Sequence, residues 1–144
     1  MAAPPRDALG HVEPHNDPDI RDSDGLIRYI NPDYHLVPDP KVGGLRLSTA
    51  AFSESNKPPG GMSVDLERLM IEDGLDSLSR LPTTDFGAVR FEARILRDNG
   101  HMVGSDALPE NPYHASVWHP SKGKRQKERM MGWITWLKKP TGLS

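Results

Sequence analysis

Three sets of side chains in this 144-residue chain have types and spacings that chemistry can use. His101, Asn111, His114 and His119, with Asp98 and Asp106, fall within 22 residues of one another. Histidine with carboxylate is the donor mix that zinc and other divalent metals take. Arg28, then Ser48-Thr49, then Glu92 set a cation, two hydroxyls and a carboxylate in that order along the chain. Lys122, Lys124, Arg125, Lys127 and Arg129 crowd the start of KGKRQKERMMGWITWLKK, which also carries two tryptophans. Residues 121–144 hold seven of the 18 Lys and Arg but one of the 20 Asp and Glu, so this segment is +6 and the remainder −8. A fourth pair, His11 and His15, has metal-compatible spacing for a helix. Pro14 and Pro18 argue against a helix there, which makes both incidental surface histidines.

The histidine set loosely resembles the metal-dependent HNH-type nucleases with a ββα core, through NPYHASVWH. That resemblance implies a metal held by residues such as His101, His114 and His119. The chain departs from the pattern: no Asp-His or His-His pair leads it, and on a strand positions 114 and 119 point to opposite faces. The second set resembles, in order and type, the ADP-ribosyltransferase-like folds, which use an early-strand Arg, a Ser-Thr-Ser strand and a late Glu to hold and open NAD. Here Arg28, Ser48 and Glu92 would take those roles, but the third residue of the Ser-Thr-Ser set is missing.

The elements that must position these residues follow from periodicity and punctuation. LIRYI reads as a strand closed by the turn Asn31-Pro32-Asp33, and LRLSTAAFS as a second strand after Gly43-Gly44. Ser63 is placed to cap a helix over VDLERLMIED, with Leu66, Leu69 and Met70 on its buried stripe and Gly74 as its stop. FGAVRFEARIL (86–96) fits a half-buried strand and also a helical stripe. Asn99-Gly100 between apolar flanks favours the strand, as one arm of a hairpin. YHASVWH alternates as a further strand. Met130, Trp133, Ile134 and Leu137 follow the helical i, i+3, i+4, i+7 rule, which predicts a long amphipathic C-terminal helix opened by the basic residues.

The expected fold is therefore α+β: a small antiparallel sheet of about four to five strands with two main helices on one face. Residues 1–24, rich in Pro and Asp, are expected to be a disordered tail, and residues 25–140 one domain. There is no cysteine, which excludes disulfides, thiolate metal sites and a cysteine nucleophile. Neither a signal peptide nor an apolar run of the ~18–20 residues a membrane span needs is visible, so the expected location is the cytoplasm.

Positive charge at a helix N-terminus opposes the macrodipole, so helix stability does not explain the basic cluster. The functional expectation is a non-catalytic binding or accessory protein without cofactor or metal. It would contact nucleic acid or an acidic partner protein through Lys122, Lys124, Arg125, Lys127, Arg129 and Trp136. A small enzyme of either resembling type is the alternative, and a solvated face that offsets the acidic body is the plain reading of the charges.

Overall fold

A computed structural model of the chain describes residues 3–144. Its elements are β1 (Gly25–Ile30), β2 (Leu36–Asp39), β3 (Gly44–Leu47), a 3-10 turn (Thr49–Phe52), β4 (Met62–Leu66), α1 (Glu67–Glu72), β5 (Gly87–Glu92), α2 (Ala93–Asp98), β6 (Met102–Ser105), β7 (His114–Trp118), α3 (Lys124–Met130), a second 3-10 turn (Met131–Trp133) and β8 (Thr135–Lys138). Six strands form one antiparallel sheet in the order β6-β7-β4-β1-β5-β8, and β2 pairs β3 in a separate hairpin. The fold is α+β, as its residue pattern predicts, with more strands and shorter helices than expected.

Alternation decides which side chains share a face. Leu26, Ile30, Val64, Leu66, Val89, Phe91, Ala115 and Val117 line one face and join Phe52, Leu96 and Met130 in the main core. Ile27 and Ala88 line the other and, with Tyr113 from just before β7, meet Met70 beneath Leu78 and Leu81. The helices therefore do not share one face. α2 and α3 close the main core through Leu96 and Met130, while α1 delivers Met70 to the second cluster.

Two segments depart from their sequence reading because a strand passes into a helix with no intervening loop. Met62, Val64 and Leu66 point inward while Ser63 and Asp65 point away, so Ser63 lies within β4 and α1 begins only at Glu67. The ambiguous 86–96 stretch is both of its readings in turn, strand to Glu92 and helix from Ala93. Each helix is six residues long and is followed by a glycine at positive φ, Gly74 or Gly100, where other residues would be strained. The C-terminal stretch is not one helix either. After α3 the chain extends into β8, which pairs β5 with Trp136 beside Val89. LRLSTAAFS likewise divides, into β3 and the 3-10 turn that Ser48 caps by accepting from the Ala50 N–H.

Residues 3–24 are not a loose tail. Val12, Asp17, Ile20 and Asp24 are buried. The segment straps the β6 edge: the Asp17 N–H donates to the Val103 carbonyl (2.9 Å), and the Val103 N–H to Asn16 Oδ1 (2.9 Å). Arg97 clamps the strap from below through the carbonyls of Asp17 and Ile20. The His15 ring lies on Gly104, where a Cβ would come within 2.5 Å of it, and 5.4 Å from the Trp118 ring. Among the described residues no helix is long and apolar enough to cross a membrane.

Candidate functional site

The basic cluster sits on and around α3. This helix is held by its buried residues: Met130 enters the main core, and the buried Gln126 Nε2 lies 2.7 Å from His101 Nε2. Lys122, Lys124 and Arg125 are exposed. Lys122 and Arg125 have no partner among the described residues, and Lys124 reaches only Glu128, at 3.9 Å. Lys127 points inward to the Ser53 hydroxyl at 3.3 Å. Arg129 donates to Asn99 Oδ1 and stacks over the Trp133 ring, 5.7 Å from its centroid. Trp136 is not an exposed anchor. It lies half-buried on β8 against the main core, the consequence of a strand where a helix was expected.

Beside α3 opens a cleft of about 730 Å³, between the 53–60 loop, the N-terminal strap and the start of the helix. Lys57, Lys122, Lys127 and His119 stand in its wall, and Asp7, Glu13 and Glu54 also border it. Asp7 is already committed: its carboxylate accepts from the N–H groups of Leu9 and His11, and the His11 bond leads the causes that hold its pKa down.

The histidine set divides as the strand argument predicted. His101 and His119 meet, Nδ1 to Nδ1 at 3.0 Å, while His119 Nε2 contacts the Phe52 carbonyl at 2.7 Å. One proton arrangement satisfies the whole chain. His119 donates from Nε2 to Phe52, His101 donates from Nδ1 to His119, and Gln126 donates to His101 Nε2. Burial first, then the charges of His119 and Arg129, push the His101 pKa down to about 4. His101 is thus a neutral link, and through it and His119 α3 is tied to the end of β7 and the 3-10 turn.

His114 is on the opposite face, its Nδ1 donating to the Asp106 carbonyl at 2.8 Å with the carboxylate at 3.5 Å. Asn111 belongs to that face too, donating to the buried Asp65 (2.7 Å), which also accepts from the Tyr29 hydroxyl (2.6 Å) and Arg80 (3.3 Å). Burial and the Asp65 hydrogen bond raise the Tyr29 pKa and keep its phenol protonated. The described residues contain no group of three or more His, Asp or Glu side chains placed to hold a metal ion. His101, His114 and His119 do not share a centre.

Arg28, Ser48 and Glu92 are also divided. Arg28 pairs with Val89 and shares its main-core face. Glu92 pairs with Gly25, so its position belongs to the opposite face, three residues further along the sheet. Arg28 and the Ser48 turn do come together, because Arg28 Nε donates to the Ala51 carbonyl at 2.8 Å. His35, which the sequence reading passed over, joins them: its carbonyl accepts from the Ser48 N–H at 2.8 Å, and Arg28 is one cause of its lowered pKa. Its only signal in sequence was its place just past a Pro-Asp turn, which does not distinguish a site from a surface loop. Comparison with family models, with curated proteins and with solved structures returns no match.

Proposed function

We propose that this chain is a binding protein for nucleic acid, taking the phosphate backbone on the surface formed by Lys122, Lys124 and Arg125, with Lys127 and Lys57 on the adjoining cleft wall. One observation carries the reading. Four of the nine arginines in the acidic body are spent on its own carboxylates: Arg68 on Asp24 (2.9 Å), Arg80 on Asp65 (3.3 Å), Arg90 on Glu67 (2.9 Å) and Arg97 on Asp22 (3.1 Å). At the head of α3, Lys122 and Arg125 have no ion pair among the described residues and Lys124 reaches only Glu128 of its own helix, at 3.9 Å, although the remainder of the chain is −8. Unpaired surface cations that a fold holds at fixed spacing release counterions from a polyanion, and this drives sequence-independent binding. Trp136 has no part in the contact.

The test is binding of a fluorescent single-stranded oligonucleotide across a salt series. Neutralising four or five phosphates predicts a log–log slope of about −3, at about −0.7 per phosphate. Reversing Lys124, Arg125 and Lys127 to Glu should abolish binding at low salt. Affinity that survives the reversal removes the proposal. If the oligonucleotide does not bind, but an acidic polypeptide does and depends on the same three residues, the surface serves a protein partner instead.

A further inference from the structure

We propose that Arg28, His35 and the Ser48 turn form a second anion site, away from the basic surface, that takes the phosphoryl group of a small ligand. The site begins with a break in the sheet. β1 pairs β5 along all six of its residues, but its register with β4 covers only Leu26↔Leu66 and Ile27↔Asp65. Beyond Ile27 the two strands part, and Arg28 enters the opening. Its Nη1 donates to the Ser63 carbonyl at 3.1 Å, while Nε donates to Ala51 on the 3-10 turn above.

No carboxylate lies within ion-pair distance of this guanidinium among the described residues, in contrast to Arg68, Arg80, Arg90 and Arg97. Burial lowers its pKa to about 10, so the group still keeps its proton at neutral pH. Arginine has five N–H donors and no acceptor, and two donors are used here. The Nη2 edge has no hydrogen-bond acceptor among the described residues.

His35 supplies the next donor. Its Nδ1 accepts from the Asn31 N–H at 2.8 Å, which puts the ring proton on Nε2. Burial and then the Arg28 charge push this pKa down to about 4, fixing the neutral tautomer across the physiological range. Nε2 has no acceptor among the described residues, and the ring is half-buried. Ser48 opens the turn that Arg28 holds. Its oxygen accepts from the Ala50 N–H at 3.1 Å, so its hydroxyl proton is uncommitted. Arg28, His35 and the Ser48 turn are tied together beside this break, Arg28 through the Ala51 carbonyl and His35 through its carbonyl to the Ser48 N–H, and each keeps an uncommitted donor while Arg28 has no carboxylate partner. A set made of donors selects an oxyanion, and the guanidinium fork matches a phosphoryl group.

The experiment is a two-dimensional NMR titration of the full chain with sulfate, whose charge does not change with pH, followed by inorganic phosphate, adenosine monophosphate and acetate. The expected result is saturable movement of the Arg28 Nε–H and His35 ring signals with sulfate and phosphate, and weaker movement with acetate. A tighter response to the nucleotide than to phosphate assigns a nucleotide-like ligand. An equal response assigns a bare phosphoryl group. Arg28→Lys keeps the charge but loses the fork, and should weaken binding about tenfold or more, the worth of one charge-assisted hydrogen bond. Should that variant fail to fold, His35→Phe provides a second loss-of-donor test. Arg28 and His35 signals that stay fixed through the millimolar range overturn the proposal, as does movement confined to residues 122–127. Lys124→Glu with Arg125→Glu should leave this binding unchanged, which separates its failure from that of the nucleic-acid surface.

Discussion

Protonating His101 should cost this fold a large part of its stability, and the sign follows from the direction of the shift. The ring is 1% exposed, lies edge-on to Trp133 at 5.7 Å, and has both nitrogens engaged by His119 and Gln126. Its pKa is about 4 in the folded chain against 6.5 in a free histidine. The unfolded chain therefore binds the proton first as pH falls. The stabilisation is complete above about pH 6.5 and is lost between there and about 4. At about 1.4 kcal/mol per pH unit the full window is worth about 3 kcal/mol, a sizeable share of the 5–15 kcal/mol typical of a domain. The assay is urea unfolding at half-unit steps from pH 7.5 to 4.5, for the parent chain and for His101→Gln, which keeps hydrogen-bonding capacity but cannot titrate. Carboxylates and His35 act in both proteins, so the difference between the two slopes isolates His101. The parent should lose about 1.4 kcal/mol more per pH unit than the variant between pH 6 and 4.5. Parallel curves, or an NMR titration placing the His101 midpoint near 6.5, would refute the burial argument.

Two further outcomes follow from the polar ties. Asp65 is 3% exposed and accepts from Tyr29, Asn111 and Arg80, so Asp65→Ala should destabilise by about 3–5 kcal/mol by leaving a guanidinium and two donors unpaired. Ser63→Ala, on the exposed neighbour, should stay within about 0.5 kcal/mol; equal urea midpoints for the two variants would contradict this account of Asp65. Removing residues 3–17 should bare the Val103 edge of β6 and give concentration-dependent self-association in light scattering, since an open strand edge is a template for pairing. A truncated chain that stays monomeric and keeps its melting temperature would show that the strap protects nothing.

How far the fold could be read from sequence depended on whether one periodicity ran the length of a segment. β1 and β7 were legible because alternation continued to a turn signal, whereas the hairpin read from Asn99-Gly100 does not form: Gly100 follows the end of α2, and β6 pairs β7 rather than β5. β4 was hidden because Leu66, Leu69 and Met70 keep helical spacing across the point where strand becomes helix, and Ser63 with Asp65 imitate a cap and a first-turn acid. The same ambiguity made Trp133, Ile134 and Leu137 look like one helical stripe. In the structure Trp133 ends a 3-10 turn, and beyond it Ile134 and Trp136 pack on the main core while Leu137 packs on the second cluster, as a strand's two faces require. The tail misled through composition: its prolines and acids suit disorder, but Val12 and Ile20 find buried places and Arg97 takes its carbonyls. Of the candidate residues, the basic cluster was visible as a charge run. The approach of Arg28 to the Ser48 turn was not, because it depends on a break between β1 and β4 that no local pattern signals.

The position of the basic surface and the acid sensitivity of the core have one structural cause. α3 is seven residues long, too short to persist by its own hydrogen bonds, and it carries positive charge at the end where its dipole disfavours it. It exists because Gln126 and Met130, four residues apart and so on one face, are drawn inward, Gln126 by His101 and Met130 by the main core. The chain from Gln126 through His101 and His119 to the Phe52 carbonyl then ties the helix to the turn whose next carbonyl, at Ala51, holds Arg28. Lys124 and Arg125 therefore owe their fixed places to a neutral buried imidazole rather than to helix propensity. A proton on that imidazole acts against the helix in two ways: it adds a charge to the core, and it requires the Gln126 amide to turn over before it can accept. Acid thus works against the basic surface through its support, although it leaves every lysine and arginine on that surface charged.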